Sequence, residues 1–429
     1  MEQEQLPTTN VQLADIHITI YLFSRLCQPR SITITATMSS SFNLSRLRDY
    51  IPKEMPRMPS WPQNHSSMNP DDEQDGPPAD SHPLDSPTDT RNDEPTSLIL
   101  EEPKPIPSGP KSYLDLINEC DSFPYYHTDP NAFFARVNSY YGFYVNDHPT
   151  VELGYMLPSV AEVFRGLPDW KIDDDDRSLT LLTGSTEEER TKAVEFATKA
   201  MRATDHFQVL RGWRDELYPV YGPKGELLLS MERAASALFG IATYGCHMTA
   251  YTLKVKEGKG AEKEMHIWVP RRAASKQTYG GMLDNTVAGG IATGESAFES
   301  LVREAQEEAS LPEEVVRKCA QAVGTVTYFH VRDQRAGGET RLLMPECQYV
   351  YDIELDADTI PKPSDDEVEG FELKSVEETK QALRDGDFKP NCALVLLDFF
   401  VRHSIITAED EGFIEIVARL HRRLEFPMP

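Results

Sequence analysis

The chain has 429 residues, 39% hydrophobic and 26% charged, enough for two globular cores and a polar surface. Its 70 acidic residues against 43 basic ones leave a formal net charge of -27, which argues against a binder of nucleic-acid polymers or of anionic membranes. Six cysteines (Cys27, Cys120, Cys246, Cys319, Cys347, Cys392) are scattered with no CxxC pair, so neither a disulfide framework nor a structural zinc site is expected. That usage fits a reducing compartment, read as the cytoplasm.

Residues 1–110 do not read as a domain. Ile16 to Ile20 and Ser31 to Thr37 have strand-like composition, but Arg25 and Arg30 lie between them and the apolar runs are too short to span a membrane. Glu2 and Glu4 occupy what would be the basic end of a secretory signal. Met38, taken as an alternative start, would open a Ser/Arg stretch with no acid before Asp49, a weakly amphipathic candidate for a mitochondrial presequence. From Met55 to Pro110 the chain is rich in Pro, Ser and Asp and reads as a solvated, disordered tail and linker.

Residues 111–240 read as a small α+β domain. Tyr113, Leu114, Leu116 and Ile117 make a helical stripe, and Asn131 to Val137 a second short helix. Ser159 to Arg165 is expected to be helical, with Gly166 closing it. Asp173 to Asp176 is a solvated loop that lacks the spacing of a calcium loop. Leu179 to Leu182 predicts a strand, and Thr186-Glu187-Glu188-Glu189 caps a helix running to about Met201. Leu227 to Leu229 and then Glu232 to Phe239, ended by Gly240, complete the domain; Trp213, Arg214, Glu216 and Tyr218 are candidates for contacts with the C-terminal half of the chain.

Residues 241–429 form a second α/β domain. Cys246 to Val255 and Met265 to Val269 alternate as paired strands, followed by a basic stretch at Arg271, Arg272 and Lys276. Thr325 to Val331 and Cys347 to Leu355 are further strands. Pro312 to Ala320, Val376 to Arg384, Cys392 to His403 and Glu409 to Leu424 are helices. Strands interspersed with helices in this way predict an α/β/α sandwich.

The chemistry concentrates between Gly289 and Leu311, GGIATGESAFESLVREAQEEASL. A glycine turn precedes a helix with Ser296 as N-cap and Glu299 three residues on, a capping-box spacing. Phe298, Leu301, Val302 and Ala305 make the apolar stripe, and Glu304, Glu307 and Glu308 share the other side. Like charges so spaced repel, and a glutamate-rich helix by itself is more often a solvated face. Carboxylates clustered this way also suit a hard cation, and Mg²⁺ prefers oxygen ligands and substrate phosphates.

Gly289, Glu295, Arg303-Glu304, Gln306, Glu307-Glu308, Ser310 and Leu311 at these offsets resemble a Nudix box, a pattern far more specific than a glycine motif alone. Ser310 stands where that family usually has glycine, and Ala305 is small for its apolar position. The segments RGWRDELYPVY, ERAASALFG, YGCHMTAYT, WVPRRAASKQTYGGMLDNTVAGGI and PECQYVYDIEL are further similar to Nudix proteins related to fungal thiamine pyrophosphokinases, over some three quarters of the chain. Gly280 departs from a proline expected before Gly281. The resemblance implies a hydrolase that uses Mg²⁺ or Mn²⁺ to cleave a small-molecule diphosphate to a monophosphate and phosphate. Damaged oxo or oxy forms of thiamine diphosphate are its implied substrates and metabolite repair its implied role. 8-oxo-dGDP is the alternative substrate, and a non-catalytic Nudix binding module the alternative of another class. It further implies Glu304, Glu307 and Glu308 as metal ligands, Arg303 orienting a carboxylate, Glu295 anchoring the loop–helix junction, and Gly289 and Gly290 letting the backbone approach. Arg271, Arg272 and Lys276 are expected to meet the terminal phosphate. The general base is left among the box glutamates, Glu346, Glu367 and Glu369.

Overall fold

A computed structural model describes residues 16–22, 30–36, 109–255 and 262–429. The linker expected over 55–110 and the Met38 start fall almost wholly outside these residues, as does Cys27. β1 (Ile16–Leu22) and β2 (Arg30–Ala36) pair antiparallel, Ile16 opposite Ala36, in a unit of their own; the described residues from 109 onward belong to a second, larger unit.

The first part of this larger unit opens with α1 (Tyr113–Cys120), whose Ser112 and Asp115 close a capping box, and α2 (Pro130–Val137). A four-stranded sheet comes next in the order β4 (Gly154–Met156), β3 (Tyr141–Val145), β6 (Ser178–Leu181), β5 (Trp170–Asp173), with β3 and β6 parallel. The helix expected over 159–165 is a single turn, α3 (Pro158–Ala161), tightened into a 3-10 turn over Glu162–Phe164, with Gly166 at φ +81° ending it. α4 (Glu187–Ala203) is capped by Thr186 and Glu189 as the spacing predicts, and buries Val194, Ala197 and Met201. β7 (Leu217–Tyr221) and β8 (Leu227–Glu232) form a hairpin leading into α5 (Arg233–Phe239), closed by Gly240 in the left-handed conformation. Phe143, Leu179, Leu181, Leu229 and Phe239 sit at the centre of this core.

The second part is built on one mixed sheet. Its strands are β9 (Thr243–Val255), β10 (Lys263–Arg272), β11 (Val287–Gly290), β12 (Gln321–Val331), β13 (Leu343–Glu354) and β14 (Val368–Ser375). They run in the order β12-β13-β9-β10-β14, with β11 also on β9, and β13 lies parallel to β9. On one face pack α6 (Ala297–Ala309) and α7 (Glu313–Cys319), against Cys246, Met248, Val287 and Tyr351. On the other face α8 (Val376–Asp385), α9 (Pro390–Arg402) and α10 (Phe413–Arg419) cover Ile267, Val269, Val326 and Val350. The result is the α/β/α sandwich. β14 escaped the sequence pattern because it is an edge strand of partly exposed residues with no clean alternation.

Two differences from expectation have a tertiary cause. α1 joins the second core: Leu116, Ile117 and Cys120 pack with α9, and Phe123 stacks on Phe329 at 4.2 Å. The final helix, expected from Glu409 to Leu424, is only Phe413–Arg419. A Thr407–Asp410 turn and Gly412 at φ +75° delay its start. Beyond it the chain is drawn onto β12, where Thr327 Oγ1 donates to the Arg422 carbonyl at 2.5 Å and the Arg422 guanidinium bonds buried Asp121 at 3.0 Å. Cys120, Cys246, Cys319, Cys347 and Cys392 are free thiols. Among the described residues no helix is long and apolar enough to cross a membrane.

Candidate active site

The site forms where β11 ends and α6 begins. β11 lies antiparallel on β9, with Gly289 opposite Cys246 and Gly290 opposite Gly245. Both glycines are required by close approach. A Cβ on Gly289 would come within 2.1 Å of the Glu304 carboxyl carbon, and one on Gly290 within 1.7 Å of the Tyr218 hydroxyl. α6 buries Leu301, Val302, Ala305 and Ala309, so its glutamates are directed away from that core. Ser296 Oγ accepts the Glu299 N–H at 3.3 Å, but the reciprocal half of the capping box is missing: the Glu299 carboxylate is chelated by Arg317 at 2.8 and 2.7 Å. Ser310 closes the helix at φ 52°, the left-handed position where glycine carries less strain.

Arg303 organises the acids. Its Nε and Nη2 donate to the two oxygens of Glu295 at 2.9 and 3.0 Å, a fork-to-fork pair, while Nη1 donates to Glu304 at 2.9 Å and Glu307 at 3.0 Å. Glu308 instead accepts the Ala288 N–H at 3.0 Å. Burial pushes the Glu304 carboxyl above the usual carboxylate range, with Arg303 opposing. Burial, then the charges of Glu304 and Asp284, push Glu308 up further. Among the described residues no three His, Cys, Asp or Glu side chains stand gathered in a metal-holding arrangement, since Arg303 engages two of these glutamates and a backbone amide the third. The donor set nonetheless fits a hard divalent cation. It is all oxygen, and burial makes negative charge on Glu304 and Glu308 costly unless a cation answers it.

These groups face a cavity of about 730 Å³ whose walls come from both parts of the unit. Glu304, Glu307, Glu308, Arg303, Gly289 and Gly290 line it; Glu295 reaches the site only through Arg303. The basic residues singled out in the sequence divide. Arg271 is not in the cavity wall, and its Nη1 donates to the Gly281 carbonyl at 2.9 Å. Arg272 reaches the wall but is committed: it is 9% exposed, with Nη1 on Asp284 at 2.5 Å and Nη2 on the Thr278 carbonyl at 3.2 Å. Lys276 lines the cavity and pairs with Glu367, which also lies 3.5 Å from Arg214. Of the candidate bases, Glu346 lies in the cavity wall on β13, its Oε2 accepting the Tyr328 hydroxyl at 2.6 Å and Gln348 Nε2 at 2.8 Å; exposed Glu369 is outside it.

Three groups in the wall were not singled out as site residues. Arg233 opens α5, with Nη1 on Glu216 at 2.9 Å and its guanidinium 5.4 Å from the Tyr218 ring centre. Lys389 precedes α9 and forms no ion pair within 4.0 Å among the described residues. The Gln348 Oε1 is buried with no hydrogen-bond partner, 2.1 Å from where a Gly245 Cβ would stand. Nothing local marks any of them, because each belongs to the site only through contacts with distant strands.

Residues 249–392 match the NUDIX domain, and residues 115–243 match DUF4743, a domain of unknown function. A protein of Saccharomyces cerevisiae described as uncharacterized, YJR142W, is 34% identical over 329 residues, 74% of this chain and 92% of the yeast protein. Nudix hydrolase 20, chloroplastic, of Arabidopsis thaliana is 36% identical over 238 residues, 55% of this chain and 59% of the plant protein. The solved Nudix hydrolase RenU from M. smegmatis aligns over 46% of this chain and all of its own, at 15% identity and a TM-score of 0.27, too low to add to the sequence matches.

Proposed function

We infer the reaction from the family to which the chain belongs: it is a Nudix hydrolase, a Nudix domain preceded by a DUF4743 domain. Such hydrolases generally use divalent metal ions. We propose that this one cleaves a small-molecule diphosphate to a monophosphate and phosphate, with Mg²⁺ or Mn²⁺ held by Glu304, Glu307, Glu308 and the Gly289 carbonyl. The observation that carries the reading is that Arg303 ties Glu304 to Glu307 while Glu304 stands against Gly289 and Glu308 against the Ala288 N–H, at the wall of a cavity large enough for a small molecule.

Bound there, the ion would neutralise phosphate oxygens and polarise the phosphorus. The chain's own groups do the positioning. Arg303, anchored on Glu295, holds Glu304 and Glu307 in one arrangement, so their orientation is set before substrate arrives. Glu346 is the better placed general base, since Glu367 is engaged by Lys276 and Glu369 lies outside the cavity. For the organic half we propose an oxidised thiamine, which rests on the similarity of the segments around both domains to the thiamine-pyrophosphokinase-related Nudix proteins. A phosphate-release panel with purified protein and Mg²⁺ tests this, comparing thiamine diphosphate, its oxo and oxy forms, 8-oxo-dGDP and ADP-ribose. The expected outcome is a preference for the oxidised thiamine diphosphates; a preference for 8-oxo-dGDP or ADP-ribose overturns the substrate and leaves the reaction class standing.

A further inference from the structure

The Nudix sheet begins at β9, yet the cavity extends beyond it. Its far wall belongs to the preceding domain, which contributes Arg211, Arg214 and Arg233, and of these it is Arg233 whose charge bears on Glu304. Three features place this guanidinium. The Arg233 N–H donates to the Glu216 carbonyl at 2.8 Å, fixing the first residue of α5. Buried Glu232 accepts the Ala234 N–H at 3.2 Å and the Arg214 N–H at 2.9 Å, tying the turn to the neighbouring segment. The side chain itself lies over Tyr218 and bonds Glu216, while Tyr218 is seated against Gly290, where no larger residue fits. The cation is therefore registered to the glycine turn of the Nudix domain through one aromatic ring. It remains a third exposed, and its charge acts on both Glu304 and Glu346 across the cavity.

Of the cations expected near the phosphates, Arg271 lies outside the wall, Arg272 is buried with Nη1 on Asp284 and Nη2 on the Thr278 carbonyl, and Lys276 has its one ammonium on Glu367; Lys389 also stands in the wall, contributed by the Nudix half. A diphosphate entering a wall that already carries Glu304, Glu307, Glu308 and Glu346 needs positive charge from the protein as well as from metal. Arg233 offers a planar fork, stacked and pre-oriented, with free donor positions beyond its bond to Glu216.

We infer that Arg233, supplied by the DUF4743 domain, binds the diphosphate of the substrate, so that this domain completes the active site of the Nudix domain. The inference deepens the diphosphate reading and rests on it. The test is calorimetric binding of methylenediphosphonate, an uncleavable diphosphate mimic, to the full chain with Mg²⁺, for wild type, Arg233→Gln and Arg233→Lys. We expect Kd to rise about tenfold or more in R233Q and by a smaller factor in R233K, which keeps the charge and loses the fork. Wild-type binding with R233Q inside about twofold overturns the assignment of Arg233 and leaves the diphosphate reading intact. Wild type that does not bind the probe overturns the diphosphate reading itself. Should R233Q not fold, R233K decides: unchanged affinity in a folded R233K overturns the proposal, and weakened affinity at an unchanged melting temperature supports it.

Discussion

Arg272→Met separates a structural cation from a substrate contact. Arg272 and Asp284 are 9% and 6% exposed and meet at 2.5 Å, so methionine fills the stem of the arginine but leaves a carboxylate buried without its main countercharge. Removing one partner of such a pair costs about 3–5 kcal/mol. Asp284 keeps the Asn285 N–H at 2.9 Å, the Cys392 thiol at 2.6 Å and the field of Lys389, which places the expected loss at the lower end, about 3 kcal/mol. The pH dependence carries the diagnosis. Burial by itself would raise the Asp284 pKa, but Arg272 and then Lys389 outweigh it and hold the carboxyl far below the usual range. In wild type its contribution to stability is therefore present above the unfolded value near 4 and is lost as pH falls through the folded value. Without Arg272 burial dominates, the folded pKa rises above the unfolded one, and stability is lost as pH rises instead. The deficit of R272M should be widest at neutral pH and should narrow toward pH ~4. Urea unfolding followed by tryptophan fluorescence at several pH values measures it, and adding Asp284→Asn should recover a large part of the loss. A neutral-pH loss under about 1 kcal/mol, with KM for the diphosphate raised instead, would refute the structural role and return Arg272 to the substrate.

The remaining predictions concern the site itself. Gly290→Ala drives a methyl onto the Tyr218 hydroxyl and should cost about 1–3 kcal/mol in thermal unfolding, partly relieved by Tyr218→Phe; an unchanged melting temperature would show the two domains are not seated through that ring. Glu308→Gln should abolish metal-dependent phosphate release while the protein stays folded. Because the folded Glu308 pKa is raised, its favourable contribution is full below the unfolded value near 4.5 and lost as pH rises. In chelator-treated protein E308Q should therefore gain stability over wild type as pH increases from 5 to 8, and a pH-independent difference would contradict the buried-carboxylate account.

What the sequence made legible of the candidate site is its local geometry. Arg303, Glu304, Glu307 and Glu308 lie within six residues of one another on one helix, and helical spacing alone dictates that they share a surface. The same spacing gave the capped helix α4 and the closing turn at Gly240, since caps and left-handed turns depend on a few adjacent residues. The identity of Glu299's partner was not legible: its offset from Ser296 is that of a capping box, but Arg317, eighteen residues away, competes for the carboxylate and wins.

Basic residues show the limit most clearly. Arg271, Arg272 and Lys276 are close in sequence to the glycine turn, and sequence proximity made them candidates for phosphate. Pairing of β10 with its neighbours instead turns Arg271 to a carbonyl and Arg272 to Asp284. Arg233 and Lys389, far from the motif in the chain, reach the cavity because β9 joins the two domains and α9 packs behind the sheet. Local pattern thus determined the helix of acids, because covalent spacing enforces their shared surface, and it carried the resemblance to the Nudix box from which the class of reaction follows. The charges across from that helix were decided only by the tertiary fold, because strand pairing and domain contact choose which long cationic side chain is neutralised and which is left facing the cavity.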